Sequence, residues 1–178
     1  VAYVTLFVKL NQLQVVEASD YNDRPENTRA QLRDFNRPRG DIVTADRVTI
    51  ATSDERRADL RYQRRYPEGD LYSHVTGYYS FRLGSTGVER TYNAELTGRT
   101  ASLQLHELKG FFSDPSSEGH VVLTVRSDVQ TAARDNLAGL NGAVVALDPR
   151  SGAVLAMYYN PTFDPNLIST NDGDAAEA

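Results

Sequence analysis

The side chains that could do chemistry here are few and scattered. Three histidines, His74, His106 and His120, and the absence of cysteine exclude thiolate nucleophiles, disulfides and Cys-ligated zinc or iron–sulfur sites. No two histidines have the i, i+4 spacing that puts two imidazoles on one metal, so no metal and no cofactor is expected. The adjacent acids Asp54 and Glu55 suggest acid–base work, but neighbours on a strand point to opposite faces, and nothing close in sequence raises a pKa. Ser73, His74 and Asp70 can be assembled into a triad on paper; with no G-x-S-x-G elbow, a polar turn accounts for the same letters. Arg39-Gly40-Asp41 spells an adhesion tripeptide, and the competing and favoured reading is a buried turn in which Arg39 pairs with an acid and Gly40 fits tight backbone. Glu89 is either a ligand carboxylate or, the favoured reading, a clamp on Arg39 or Arg90, because a bidentate Arg–carboxylate pair orients two segments. Tyr78, Tyr79 and Phe81 can stack on sugar rings, but aromatics at this density read first as core.

Charge narrows the field further. Residues 24–65 hold eleven arginines against seven acids, a balance of +4, whereas residues 127–178 hold two arginines against seven acids, a balance of -5. Nucleic-acid binding calls for a basic domain overall with interleaved aromatics. The net charge of -5 over 178 residues argues against it, and no nucleic-acid partner is expected. With 40% hydrophobic residues the composition is that of a globular chain able to bury a core.

The elements that must position these groups read as α+β. Val1 to Val8 is an uncharged apolar run with no initiator Met before it, and helical spacing predicts a helix from about Val4 to Asn22. It is shorter than the roughly 20 residues of a membrane helix. Two readings stay open: the outer end of a membrane anchor, or an amphipathic helix packed on the domain. Asp23 to Pro38 is a polar, arginine-rich connector or short helix. Asp41 to Ser53 is rich in Val, Ile and Thr and broken at Ala45-Asp46, a β-hairpin, with a strand candidate at Tyr62 to Tyr66. An irregular, aromatic-anchored segment runs from Leu71 to Phe81. Short helices are predicted over 89–96 and 101–108, a buried strand over 120–125, and a helix over 128–140 that Ser127 can cap. Two apolar runs, 143–147 and 153–158, flank Asp148-Pro149-Arg150-Ser151-Gly152, a turn sequence that predicts a hairpin covered on both faces in the intact protein.

Five motifs in order carry a resemblance. They are Arg39-Gly40-Asp41-Ile42 leading into Asp46-Arg47; Tyr66-Pro67 with His74 to Ser80; Gly87-Val88-Glu89 with Tyr92, Leu96 and Gly98; Leu123 to Ala133; and Gly142 to Met157 followed by Pro161-Thr162-Phe163-Asp164-Pro165-Asn166. Over residues 27–166 the chain resembles the N-terminal, non-catalytic pedestal and dimerisation region of the actinobacterial class B penicillin-binding proteins. Val48 stands where that family commonly has glycine, which implies a different turn there.

The resemblance implies an N-terminal helix, a hairpin-rich pedestal with short helices, and the first strand hairpin of a transpeptidase-type domain. Its divisions are residues 1–22 as the end of a membrane anchor, 23–126 as the pedestal, and 127–178 as the start of the transpeptidase domain. It further implies a single-pass anchor at the cell membrane with the module on the extracytoplasmic face. The implied partners are the chain's own C-terminal transpeptidase domain, a SEDS-family glycan polymerase with other cell-wall synthesis proteins, and a second copy. Arg39, Gly40, Asp41, Gly87 and Glu89 are the implied interdomain anchors. The family's acyl transfer needs S-x-x-K, S-x-N and K-T-G; the two lysines, Lys9 and Lys109, follow Leu6 and His106 by three, so no S-x-x-K can be drawn. No catalytic residue is therefore expected in this chain. The alternative is a free-standing extracytoplasmic binding or regulatory module.

Overall fold

The computed structural model of the chain describes residues 28–56, 60–99, 119–137 and 139–170, together with Thr5 and Lys9. Apart from Thr5 and Lys9, the helix expected over 4–22 lies outside these residues, as does the candidate over 101–108. The chain divides into two compact units, Val1–Asp34 and Phe35–Ala178. Helix α1 (Thr28–Phe35) closes the first, and its last residue begins the second.

In the second unit, β1 (Ile42–Val43) and β2 (Thr49–Glu55) form the expected hairpin, with Ile42 opposite Ala51. Thr44 closes the turn twice, its N–H donating to Val48 O at 2.9 Å and its Oγ1 accepting from Val48 N at 2.9 Å. The left-handed residue this turn requires is Arg47, at φ 68°. With the positive φ one position earlier, Val48 needs no glycine's freedom. β3 (Tyr62–Arg65) pairs antiparallel with β2. A 3-10 turn (Gly69–Tyr72) and α2 (Ser73–Thr76) follow, then the small hairpin β4 (Tyr79–Ser80) and β5 (Gly84–Ser85). Two short helices come next, α3 (Gly87–Thr91) and α4 (Asn93–Leu96).

β6 (Val121–Val122) returns to lie parallel to β1, giving the sheet order β3-β2-β1-β6. It is shorter than the strand expected over 120–125, and Val122 is exposed. The reason is where the next backbone groups go. Leu123 N and Val125 O still bond Val43 O and Ala45 N, while Thr124 Oγ1 and Arg126 N donate to Val154 O and Leu155 O at 2.7 and 2.9 Å, so the segment is shared between this sheet and the edge of another.

That other sheet is the hairpin β7 (Gly142–Leu147) and β8 (Val154–Asn160), with Val145 opposite Met157. Helix α5 (Ser127–Leu137) covers its inner face, where Ala156 and Tyr158 are buried. Gln130 of α5 is fully buried. Its Nε2 donates to Leu71 O and Met157 O at 2.8 and 2.9 Å, and its Oε1 accepts from Met157 N at 2.9 Å. The side-chain amide thus does for β8 what a neighbouring strand would. Among the described residues one face of the hairpin is covered; the expectation of two concerned the intact protein. Ser127 is not the cap of α5: it donates its own N–H, at 3.1 Å, and its hydroxyl to Asp46 of the β1–β2 turn. The hydrogen bonds from Ser127 and Thr44 hold the Asp46 carboxyl well below the usual range. Last comes α6 (Pro165–Ile168), capped by Asp164.

Candidate functional site

Glu89 is the first acid of α3 and is 0% exposed. Left alone in an apolar core, an ionised carboxylate would cost several kcal/mol. Three donors meet it. Arg39 Nε reaches Oε2 at 2.6 Å, Arg64 Nε reaches Oε1 at 2.6 Å, and the Tyr66 hydroxyl donates to Oε1 at 3.3 Å. Burial alone would raise this carboxyl; the charges of Arg64 and Arg39 and their hydrogen bonds outweigh it, and the pKa is lowered. For Tyr66 burial comes first, joined by the Glu89 charge, and the phenol is pushed far above its ordinary value.

Two guanidinium groups against one carboxylate leave a positive balance; neutral acceptors take the remaining donors except Arg64 Nη2, which is buried without a partner among the described residues. Arg39 Nη2 donates to Glu89 O at 2.6 Å and Nη1 to Asn93 Oδ1 at 2.8 Å. Arg64 Nη1 donates to Arg39 O and Gly40 O at 3.2 and 2.9 Å. Arg39 also lies 4.2 Å from the ring centre of Tyr79, whose ring stacks on Phe35 at 4.5 Å. The result is an interlocked centre in which β3, the segment before β1, and α3 each hold the other two.

Around it the backbone closes tightly. Gly40 N donates to Leu96 O at 2.9 Å, and a Cβ at Gly40 would run into the carbonyl of Gly119. Gly87, at φ 57°, starts α3 where a Cβ would meet Gly77 N and Val75 O at 2.8 Å. Asp41 stands apart: its N–H donates to His120 Nδ1 at 3.0 Å and its carbonyl accepts from Val121 N, so it serves the β1–β6 junction. Of the five residues singled out from sequence, Arg39, Gly40 and Glu89 meet, Gly87 positions Glu89, and Asp41 lies elsewhere. Arg90, the other partner considered for Glu89, is exposed. The second partner is Arg64, which sequence reasoning missed; nothing in the sequence separates it from its neighbour Arg65, which the strand turns outward.

The other chemical candidates dissolve into local pairs. Asp54 and Glu55 form exposed ion pairs with Arg65 and Arg61 at 2.5 and 2.9 Å. Ser73 Oγ lies 2.8 Å from Thr162 Oγ1, while His74 packs edge-on against Tyr159 and Phe163. Among the described residues no group of His, Cys, Asp and Glu could hold a metal ion, and no helix is long and apolar enough to cross a membrane. With both oxygens engaged and no exposure, Glu89 has the environment of an ion pair that joins segments.

Known proteins share this framework. Residues 39–122 match the penicillin binding protein A dimerisation domain. The chain is 38% identical over 179 residues to peptidoglycan D,D-transpeptidase PbpA of Mycolicibacterium smegmatis, covering 97% of the chain and 36% of that protein. It is 31% identical over 140 residues to the transpeptidase MrdA of Acinetobacter baumannii, covering 64% of the chain and 21% of that protein. Among solved structures, penicillin-binding protein A from M. tuberculosis as a ceftriaxone acyl-enzyme complex superposes with TM-score 0.75 at 33% identity, over 82% of this chain and 34% of that one. The chain thus spans about a third of the length of the mycobacterial relatives it matches. The interlocked centre falls inside the matched dimerisation domain, and the chain belongs to the class B penicillin-binding protein family, matching its N-terminal region.

Proposed function

We propose that the chain is the non-catalytic, extracytoplasmic module of a peptidoglycan D,D-transpeptidase, holding the catalytic domain away from the membrane and contacting a SEDS-family glycan polymerase. In this reading residues 1–22 end a single-pass membrane anchor, 23–126 form the pedestal, and 127–178 begin the transpeptidase domain. Arg39, Gly40, Asp41, Gly87 and Glu89 lock the subdomains together, and none of them does chemistry. A second copy is a further partner, in keeping with the description of the family matched by residues 39–122.

The observation that carries this reading is the outer face of β7 and β8. Val145, Leu147, Met157 and Tyr159 are 55%, 57%, 36% and 44% exposed on a sheet whose other face is already packed. A contiguous apolar face of this kind marks a surface meant to be covered. The matched relatives extend well beyond the shared third and have the chain to cover it.

The test is the reading frame past Ala178, followed by labelling of its product with a fluorescent penicillin. Downstream S-x-x-K, S-x-N and K-T-G, with labelling of the full product and none of residues 1–178, is the expected result. A stop codon directly after Ala178, or labelling of 1–178 alone, overturns the reading in favour of a free-standing binding module.

A further inference from the structure

The segment after β8 touches the two tyrosines that back the ion-paired centre. The Asn166 side chain pairs with the backbone of Tyr66: its Oδ1 accepts from Tyr66 N at 2.9 Å and its Nδ2 donates to Tyr66 O at 2.9 Å. Asp164 sets the orientation of that amide, its Oδ1 accepting from Asn166 Nδ2 at 2.8 Å and from Asn166 N at 2.9 Å. Ser169, 1% exposed at the end of α6, accepts from Tyr79 N at 3.3 Å. The other ends of these two tyrosines, Tyr66 buried and Tyr79 half-buried, reach the ion-paired centre. Tyr66 gives its hydroxyl to Glu89 and also meets the Ser169 side chain with it, and Tyr79 lays its ring on Arg39.

Each tyrosine is a rigid body held at both ends, one end in the ion-paired centre and the other on the α6 segment. In a close-packed interior such a body does not deform to absorb a displacement; it moves or stays as a unit. We propose that Asn166 and Ser169 are positioning residues that couple the Arg39–Glu89–Arg64 centre to α6 through Tyr66 and Tyr79, so that loosening the centre at Glu89 releases Pro165–Ile168. The inference does not rest on the chain's place in a cell-wall enzyme, and either can fail while the other stands.

Spatial adjacency alone does not establish coupling, so the test measures it on the 178-residue chain. Tyr66→Phe removes the hydroxyl and leaves the backbone that Asn166 holds. Amide exchange is read at Leu167 and Ser169, whose N–H groups bond Asp164 O and Pro165 O. The expected rise is about fivefold, the fold-change that loss of one hydrogen bond corresponds to, with Gln130 in α5 unchanged. Ser169→Ala gives the same local release, and Ser169→Thr, which keeps a hydroxyl, restores slow exchange. Glu89→Gln and Asn166→Ala have no contact with each other, yet their stability losses are expected to be smaller together than their sum. Unchanged exchange at Leu167 and Ser169 in Tyr66→Phe, or strict additivity of the two losses, overturns the proposal. Should Glu89→Gln not fold, the Tyr66→Phe exchange decides alone.

Discussion

Arg39 and Glu89 stand 50 residues apart in the chain and meet at 2.6 Å with side chains only 4% and 0% exposed. Arg64, 25 residues from Glu89, takes the other oxygen. Removing the carboxylate would leave two guanidinium groups buried with no counter-charge. Glu89→Ala is therefore expected to destabilise the chain by about 3–5 kcal/mol, read as a lower urea midpoint with unchanged slope. An unchanged midpoint would mean that the centre is solvated, contrary to its burial.

Acid should act through the same carboxyl. The Glu89 pKa is lowered from 4.5 in the folded chain, so the unfolded chain takes up a proton at a higher pH than the folded one does. The stability this linkage contributes is complete above pH 4.5 and is lost as pH falls from there through the lowered folded value. Asp46, Asp128 and Asp148, also lowered, act in the same direction. A plot of stability against pH should fall steeply below that point in the wild type and less steeply in Glu89→Gln. Parallel acid limbs would refute the assignment.

Backbone geometry offers a third measurement. Gly87→Ala introduces a Cβ 2.8 Å from Gly77 N at φ 57°, whereas Gly152→Ala, at φ 74°, meets nothing within 4 Å. The second should lose only the roughly 1–2 kcal/mol of a left-handed residue, and the first clearly more. Thermal melts of the two variants compare them directly, and equal losses would show that the approach of Gly87 to Gly77 is loose.

The open face of β7 and β8 makes a fourth. Val145 and Leu147 are exposed and apolar, so residues 1–178 should self-associate through this face as concentration rises, and Val145→Glu with Leu147→Glu should weaken that association without lowering the melting temperature. Sedimentation velocity over a concentration series reads both. A wild-type chain that stays monomeric throughout would count against a surface that another domain covers.

Much of the local architecture could be read from short stretches of residues. Asp148-Pro149-Arg150-Ser151-Gly152 closes its hairpin because its hydrogen bonds run within the turn: Ser151 Oγ to Asp148 Oδ2 at 2.6 Å and Gly152 N to Asp148 O at 2.8 Å. The hairpin of Asp41 to Ser53 and the break at Ala45-Asp46 were likewise legible, since alternation, β-branching and turn chemistry are properties of neighbours. Glu89 stood out as a carboxylate needing a cation, and Arg39 as one candidate for it.

Which arginine would complete the pair was a different kind of question. Residues 24–65 contain eleven, and composition does not distinguish Arg64 from Arg65. The register of β3 against β2 does, placing Arg65 opposite Thr52 and Arg64 opposite Ser53, so that one side chain turns inward to Glu89 and its neighbour outward to Asp54. The parallel pairing of Ile42 with Val121, the capture of Ser127 by Asp46, and the choice of which β7–β8 face α5 covers were settled in the same way. Sequence by itself determined the turns, the strands and the family resemblance, because those rest on dihedral preferences and hydrogen bonds spanning a few residues. Tertiary structure alone decided which charges meet, because burying an ion is tolerable only where distant segments bring it enough partners, and that depends on register and packing summed over the whole unit.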